Sequence, residues 1–156
     1  MGDVLRRKGI RLDQAAYAIP GTIFSVTIGL RGRIRYFADA ELATAAVEVL
    51  RSHSVQTGVA VFGYCLMPDH VHLLVGPVPG CDLVTFVGQF KNLTQRAFWR
   101  LGRRGKIWQQ SFWDHLLRAE EDVAVVLSYI LNNPVRAGLV RSWRDYPFAG
   151  SLIFTL

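Results

Sequence analysis

The sequence contains few cysteines and no apolar segment of membrane-spanning length. Cys65 and Cys81 are its two cysteines, too few for the disulfide framework of many secreted domains and without the spacing of a zinc finger. The longest apolar run, residues 59–67, is far shorter than the roughly 20 residues of a transmembrane helix. The charged N-terminus is followed by no apolar signal segment. We therefore predict a soluble protein of the cytoplasm, with no membrane as a partner.

Acidic residues are also scarce relative to basic ones. The chain carries 12 Asp and Glu residues against 18 Lys and Arg residues, which gives a net charge of +6, and only three of the basic residues are lysine. The planar guanidinium of arginine binds a phosphate group through two parallel hydrogen bonds, which the ammonium of lysine cannot do. This balance is compatible with nucleic acid or with an anionic membrane surface.

Length and composition indicate one folded domain. A chain of 156 residues in which 51% are apolar can bury a sizeable core. Residues 1–20 are polar and basic and end at Pro20-Gly21, so we predict that they form an N-terminal arm. Residues 21–156 contain no internal repeat, and we predict that they form a single domain.

The apolar pattern predicts the element order β-α-β-β-α-β-α. Segments rich in β-branched or aromatic residues predict strands at residues 22–28, 59–66, 70–76 and 111–118. Helical spacing predicts helices after Asp39 and Asp82, either of which can cap a helix. The acidic residues 120–122 predict the first turn of a third helix, which ends near Asn132 because Pro134 follows. This order predicts an α+β, ferredoxin-like antiparallel sheet, with helices on one face and an added C-terminal helix.

A His-x-His pair lies within one of the predicted strands. Side chains two residues apart on a strand face the same side, so His70 and His72 share one face. Val71 and Leu73 share the other face and are predicted to pack on the helices. Two imidazoles at this spacing can bind one divalent cation, although two surface histidines would give the same pattern. Asp69, just before the pair, is interpreted as a turn residue only.

Tyr129 lies off the apolar stripe of the third predicted helix. At about 100° per residue, the stripe is centred on Val123, Leu127 and Ile130, and Tyr129 and Asn133 lie together on its flank, four residues apart. A tyrosine beside an amide in this position is compatible with a nucleophile next to a metal ligand. Taken alone, a tyrosine in this position is more often a half-buried packing residue.

A basic stretch, residues 100–106, leads directly into an aromatic one that begins at Trp108. Cations that bind a phosphate backbone, next to rings on which bases can stack, are typical of proteins that bind single strands. A solvated loop followed by a core strand would give the same composition. His115, at the end of the aromatic stretch, has no evident partner in the sequence and is assigned no role.

Four segments in this order resemble a known family. They are residues 64–75, which contain the histidine pair, and residues 107–115, 129–140 and 143–148. Together they resemble the HUH single-strand transposases, and especially the branch of REP-associated tyrosine transposases. The resemblance covers roughly residues 20–151, and four motifs in register are far more specific than one His-x-His pair.

The resemblance implies a transposase-like endonuclease and strand transferase. Carried over by position, the ligands of a divalent metal, Mg²⁺ or Mn²⁺, are His70, His72 and Asn133, with Asn132 as a neighbouring candidate for the third. Tyr129 is then the nucleophile, which forms a 5′-phosphotyrosine bond and leaves a free 3′-hydroxyl. The implied substrates are imperfect DNA hairpins with adjoining single-stranded segments.

Basic and polar residues near the second helix are the candidates for contacts with DNA. They are Lys91, Gln95, Arg103, Arg104, Lys106 and Trp108. The oligomeric state, monomer or homodimer, and whether Tyr129 acts within its own subunit remain open at the level of sequence.

Two rival interpretations exist. A nucleotide hydrolase of the histidine-triad type also places alternating histidines on an apolar strand, but it needs a third histidine where this chain has Leu74. The second rival is a non-catalytic nucleic-acid-binding module that retains the transposase fold, because a fold does not by itself determine activity.

Overall fold

The computed structural model describes residues 21–118 and 121–156, so the predicted basic arm of residues 1–20 lies outside the described residues. The strands are β1 (Phe24–Gly29), β2 (Ala60–Met67), β3 (His70–Gly76), β4 (Trp113–Leu116) and β5 (Ala149–Gly150). The α-helices are α1 (Ala40–Thr57), α2 (Leu83–Arg100), α3 (Val123–Leu131) and α4 (Asn133–Arg136). Single 3₁₀ turns are present at Arg31–Arg33, Tyr36–Ala38 and Trp143–Asp145.

The strands form one antiparallel sheet in the order β4-β1-β3-β2-β5. The first four strands have the order expected for a ferredoxin-like fold, so the predicted fold class is confirmed. The two-residue strand β5 extends the sheet beyond β2 and was not predicted. Its shortness explains this, because a two-residue strand has no apolar period to detect.

The two faces of the sheet are covered by different helices. Val71 and Leu73 of β3 lie in the main core together with residues of α1 and α2, as predicted from the alternation along the strand. Leu74 faces the other way and packs in a second cluster with Leu127 and Ile130 of α3. The helix that carries Tyr129 therefore covers the same face of the sheet as the two histidines.

Aspartate caps determine where the long helices begin. The Asp39 carboxylate accepts a hydrogen bond from the Glu41 amide at 2.9 Å, and that of Asp82 accepts one from Thr85 at 2.8 Å. Gly58 ends α1 with φ 78°, a left-handed conformation that glycine adopts without strain. Both predicted starts are confirmed. Among the described residues, no helix combines the length and apolar character needed to cross a membrane.

The start of the third helix differs from the prediction. Asp122 is the N-cap of α3, and its carboxylate accepts a hydrogen bond from the Ala124 amide, so the helix begins one residue after the acidic cluster. Glu121 precedes the helix and accepts a hydrogen bond from His115 Nε2 at 2.9 Å. His115 therefore has the partner that the sequence did not reveal. Glu120, also predicted in the first turn, lies outside the described residues.

The third helix ends at Leu131 with Asn132 as its C-cap, so the predicted end near Asn132 is confirmed. The expected cause is not, because Pro134 was expected to keep Asn133 out of helical geometry and Asn133 instead begins the short helix α4. Proline is tolerated in the first turn of a helix, where its missing N–H would have no intrahelical partner. A new helical turn therefore follows Asn132 and carries Asn133 and Arg136.

Candidate active site

His70 and His72 lie on the central strand β3 and face the side of the sheet opposite the main core. Their Nε2 atoms are 3.0 Å apart, and the two rings are nearly perpendicular, with an interplanar angle of 89°. His72 is buried, whereas the His70 side chain is 24% exposed. The strand geometry thus directs one nitrogen of each ring toward a common point.

The other nitrogen of each ring is held by a neighbour. His70 Nδ1 lies 2.6 Å from Asp69 Oδ1, and His72 Nδ1 lies 3.1 Å from the Thr27 hydroxyl oxygen. A carboxylate only accepts hydrogen bonds, so the proton of His70 is on Nδ1 and donates to Asp69. The Asp69 carboxylate thereby orients His70 and leaves its Nε2 lone pair free for a cation, and the Thr27 hydroxyl, which can donate or accept, orients the His72 ring.

Asp69 has more than the turn role that was predicted. Its carboxylate binds His70 through Oδ1 and the Arg33 guanidinium through Oδ2, at 3.1 Å. Burial by itself would raise the pKa of Asp69, but the hydrogen bonds and positive charges of His70 and Arg33 lower it overall. Asp69 therefore closes the turn, as predicted, and in addition links a histidine to an arginine.

His72 is held in the neutral form that can bind a metal. Burial is the main cause that lowers its pKa to about 3, and the positive charges of His70 and Arg136 add to the effect. Because the His72 ring is already neutral near neutral pH, a cation can bind it without first displacing a proton.

The two Nε2 atoms lie 3.0 Å apart, close enough for both rings to hold one divalent cation. Within residues 21–118 and 121–156, no three His, Cys, Asp or Glu side chains are grouped so that they could hold a metal. A metal at this point would therefore need amide, water or phosphate oxygens in addition to the two imidazoles.

The histidines open into a cleft of about 540 Å³. Its lining residues are Thr27, Gly29, Arg33, Asp69, His70, His72, Gln109, Trp113 and Asn133. Three of the predicted site residues, the two histidines and Asn133, therefore meet in one cleft, although Asn133 is more than 60 positions away in the sequence. The amide of the alternative candidate Asn132 is used within its own helix, where Nδ2 donates to Ser128 O at 2.8 Å.

Tyr129 lies one helical turn before Asn133 and is half-buried. Arg136 contacts both residues. Its Nη2 atom donates to Tyr129 O at 2.7 Å and to Asn133 Oδ1 at 2.8 Å, and its Cζ atom lies 3.7 Å from the centre of the Tyr129 ring. The predicted nucleophile and the predicted third ligand are thus joined by a residue that the sequence interpretation missed.

Two of the predicted DNA contacts have partners within the protein. The Lys91 ammonium donates to Gln109 O at 2.6 Å and to Gln110 O at 3.4 Å, and Gln95 Oε1 accepts from the Ile107 amide at 3.1 Å. These two side chains of α2 therefore hold the segment 107–110 against the sheet. The segment in turn places Gln109 at the edge of the cleft.

Trp108 is the predicted contact that the structure contradicts. Its side chain is only 7% exposed, and its ring packs on Phe37 and Phe90 in the core. The indole nitrogen donates to Lys91 O at 3.0 Å. Because the ring is buried among protein side chains, Trp108 offers no accessible face on which a base could stack.

The exposed aromatic ring of this region is Trp99. It is 47% exposed, and its indole nitrogen donates to Gly105 O at 2.8 Å. With Arg104 and Gly105 it lines a shallow cavity of about 250 Å³. Arg103 and Lys106 are also exposed, and Arg103 lies 3.5 Å from Asp39. We call Trp99, Arg103, Arg104 and Lys106 the basic loop surface.

Arg136 and several residues of the cleft were also missed. Arg136 is three residues after Asn133 and seven after Tyr129, spacings that would share one face of a continuous helix, but the predicted helix ends near Asn132. Arg33 lines the cleft with φ 56°, a conformation that a non-glycine residue rarely adopts and that only the structure reveals. Thr27 and Gln109 left no signal, because their positions in the cleft depend on strand pairing.

The glycine at the end of β1 shapes the cleft. A Cβ atom on Gly29 would lie 2.5 Å from Gln109 Oε1, closer than real contacts allow. The backbone N–H of Gln109 also donates to Gly29 O at 2.9 Å. Gly29 thus provides the space in which the Gln109 side chain lies at the cleft.

Known proteins share this chain's sequence pattern and fold. The family model of IS200-like transposases matches residues 25–133. A REP-associated tyrosine transposase of Escherichia coli (strain K12) is 26% identical over 137 residues, which cover 85% of this chain and 78% of the relative. A Haemophilus influenzae protein assigned to the same group is 30% identical over 143 residues, covering 83% of this chain and 79% of the relative.

A solved structure has the same fold. It is that of a REP-associated tyrosine transposase bound to a REP hairpin, and it matches with a TM-score of 0.73 and 23% identity over 90% of this chain and 81% of the other. The family match includes both histidines and ends at Asn133, so it spans the residues that line the cleft and the strands β1 to β4 with the exception of Phe24. The chain belongs to the IS200-like transposase family, in its branch of REP-associated tyrosine transposases.

Proposed function

We propose that this protein cleaves and rejoins single-stranded DNA next to a hairpin, with Tyr129 as the nucleophile and a divalent metal, Mg²⁺ or Mn²⁺, held by His70, His72 and Asn133. Membership of the family implies a DNA-cleaving enzyme. The observation that carries the finer proposal is the pair of Nε2 atoms 3.0 Å apart in a cleft that Asn133 also lines. Residues 21–156 would form one nuclease domain.

The protein side chains prepare this site in defined ways. Asp69 holds the proton of His70 on Nδ1, which leaves its Nε2 lone pair available, and burial keeps His72 in the neutral form that a metal ligand requires. Asn133 would add an amide oxygen from the junction of α3 and α4. When bound, the metal would polarise a phosphoryl oxygen and orient the strand for attack.

Tyr129 would carry the covalent step. Its hydroxyl oxygen attacks the phosphorus atom and loses its proton to solvent, while the bond from phosphorus to the 3′-oxygen breaks and that oxygen takes up a proton. The products are a 5′-phosphotyrosine and a free 3′-hydroxyl. Attack by a 3′-hydroxyl on the phosphotyrosine reverses the exchange and joins the strand, so no outside energy source is needed.

We propose hairpin DNA with a single-stranded flank as the substrate. The solved relative carries a REP hairpin, and this chain presents the basic loop surface near the segment that leads into the cleft. Gly105 and Gln109 are four residues apart, at most about 14 Å of chain. A strand bound at Arg104 and Lys106 would therefore reach the cleft within a short distance, and Trp99 would offer a face for base stacking.

The test is formation of a covalent adduct. Purified protein is incubated with a labelled hairpin that carries a single-stranded flank, with Mn²⁺, and run on a denaturing gel. We expect a labelled protein band that is lost on chelation of the metal and absent with blunt duplex. Binding of the hairpin without any adduct would contradict the proposal and leave a non-catalytic DNA-binding module.

The tyrosine is tested by a matched pair of variants. Tyr129→Phe keeps the ring and removes only the hydroxyl, so we expect normal folding and hairpin binding but no adduct. Tyr146→Phe is the control, because the Tyr146 hydroxyl donates to Leu66 O in the protein interior. It should cost about 1 kcal/mol of folding free energy and leave cleavage intact. Cleavage by Tyr129→Phe at the parent rate would show that Tyr129 is not the nucleophile.

A further inference from the structure

Arg136 lies at the end of α4, where its guanidinium meets both Tyr129 and Asn133. A basic residue in the last turn of a helix often does no more than favour the negative end of the helix dipole. The contacts of Arg136 go beyond that role. One nitrogen donates to a backbone carbonyl and to a side-chain amide at once, and the Cζ atom of the guanidinium lies over an aromatic ring.

The first contact sets the orientation of the Asn133 amide. A guanidinium has only donors, so the amide atom that faces it must be Oδ1. The amide nitrogen then donates to Ile130 O at 3.0 Å, which fixes the opposite end of the group. An amide oxygen has two lone pairs, so Oδ1 can accept from Arg136 at 2.8 Å and still bind a cation in the cleft.

The second contact sets the orientation of the Tyr129 ring. The Arg136 Cζ atom lies 3.7 Å from the ring centre, well inside the range of a cation–π contact. The same guanidinium donates to Tyr129 O at 2.7 Å, so the ring and the backbone of one residue are held together. Together these two contacts keep the half-buried Tyr129 ring in one position.

We propose that Arg136 is a positioning residue that couples the nucleophile to the metal site, by holding the Tyr129 ring and the Asn133 amide in one arrangement. The inference rests on the proposed function, because it assigns Arg136 a role through those two residues. Loss of an outer partner of a ligand commonly lowers metal affinity or activity by 10- to 100-fold. Since Arg136 is exposed, its removal should act on the site more than on folding.

The experiment measures single-turnover adduct formation at saturating hairpin DNA and Mn²⁺, so that reduced DNA affinity does not enter the rate. Arg136→Ala should form the adduct about 10- to 100-fold more slowly than the parent. Arg136→Lys should be similarly slow, because an ammonium keeps the charge but has no planar face to lie on the ring. Added methylguanidinium, well below denaturing concentrations, should restore much of the rate of Arg136→Ala.

A matched control removes another arginine that lies over an aromatic ring. Arg144 lies 4.7 Å from the centre of the Trp143 ring, outside the cleft, so Arg144→Ala should keep the parent rate. Circular dichroism checks the fold of each variant, and Arg136→Gln is used instead if the alanine variant does not fold. A parent rate in Arg136→Ala, or a loss that methylguanidinium leaves unchanged, would overturn the inference. Absence of any adduct with the parent protein would instead overturn the proposed function, and this inference with it.

Discussion

The protonation of the two histidine rings decides what the cleft face of β3 can bind. Asp69 holds the proton of His70 on Nδ1, and the Thr27 hydroxyl, which can donate or accept, lies beside Nδ1 of His72. Binding of one cation by both Nε2 atoms, which lie 3.0 Å apart, would require the proton of His72 on Nδ1 as well, where it can donate to the Thr27 hydroxyl oxygen. A metal at this site would therefore depend on Thr27 and Asp69, which are not themselves among the proposed ligands.

Thr27→Val tests this dependence. Valine keeps the branched shape that suits a strand but has no oxygen to accept from His72 Nδ1, so the ring loses its outer partner. We expect the affinity for Mn²⁺ to fall about 10- to 100-fold, measured by titration calorimetry, with the fold retained. Thr27→Ser keeps the hydroxyl and should bind Mn²⁺ like the parent. Equal affinity in the valine variant would show that the hydroxyl does not orient His72.

At the scale of elements, α1 and α2 are joined by a buried histidine. His53 of α1 is 3% exposed, its ring stacks on Phe86 of α2 at 4.5 Å, and its Nε2 lies 3.1 Å from Phe86 O. Burial lowers the pKa of His53 from its usual value near 6.5, although the hydrogen bond to the Phe86 carbonyl acts in the opposite direction. The packing of the two helices thus favours the neutral ring.

This burial predicts a loss of stability in acid. Because the pKa of His53 is lower in the folded state, the unfolded chain binds more protons as the pH falls below about 6.5, and the folded state loses stability from there down to the folded pKa. A single group contributes at most about 1.4 kcal/mol per pH unit. In His53→Gln, whose amide can still donate to Phe86 O, urea unfolding should show a shallower decline from about pH 7 to pH 5. A decline as steep as that of the parent would exclude His53 as its source.

The second helix also shapes the site from a distance. Lys91 and Gln95 hold the segment 107–110 by its backbone, and this segment carries Gln109 into the cleft. Their side chains were predicted to contact DNA, and the structure gives them a supporting function within the protein. A phosphate contact by Lys91 would have to compete with its bonds to two carbonyl groups.

At the scale of the whole molecule, the net charge of +6 predicts DNA binding that weakens with salt. Each phosphate contact that is lost should reduce the slope of log affinity against log salt by about 0.7 to 0.9. Reversal of Arg104 and Lys106 to Glu should therefore weaken hairpin binding and make it less salt-dependent, as fluorescence anisotropy over a salt series would measure.

Two other variants make this prediction specific. Trp99→Ala should lower affinity by about 1–3 kcal/mol for one stacked base while leaving the salt slope unchanged, because no charge is removed. Arg51→Glu reverses a charge on α1, outside the basic loop surface, and is the matched control. If Arg51→Glu changed the slope as much as the loop variants do, binding would follow net charge rather than this surface.

The sequence by itself determined where α1 and α2 begin and which face of β3 carries the histidines. Caps at Asp39 and Asp82, the turn before His70 and the alternation along β3 all depend on residues close together in the chain, and each was predicted correctly. The resemblance of four segments to one family also came from local motifs, and the family match confirms it. Periodicity and capping hydrogen bonds involve residues close together in the chain, so they can be predicted from the order of residues.

Only the tertiary structure decided which distant side chains meet at the cleft. Thr27 lies beside His72 because β1 pairs with β3 in one register, and a shift of one residue would turn that side chain to the other face. Tertiary packing also decides which tryptophan is buried. Trp108 and Trp99 are equally apolar, and only the packing of the loop on α2 leaves the first buried and the second exposed. Such contacts join residues far apart in the chain, and no period along the sequence encodes which partner lies across a strand or a helix.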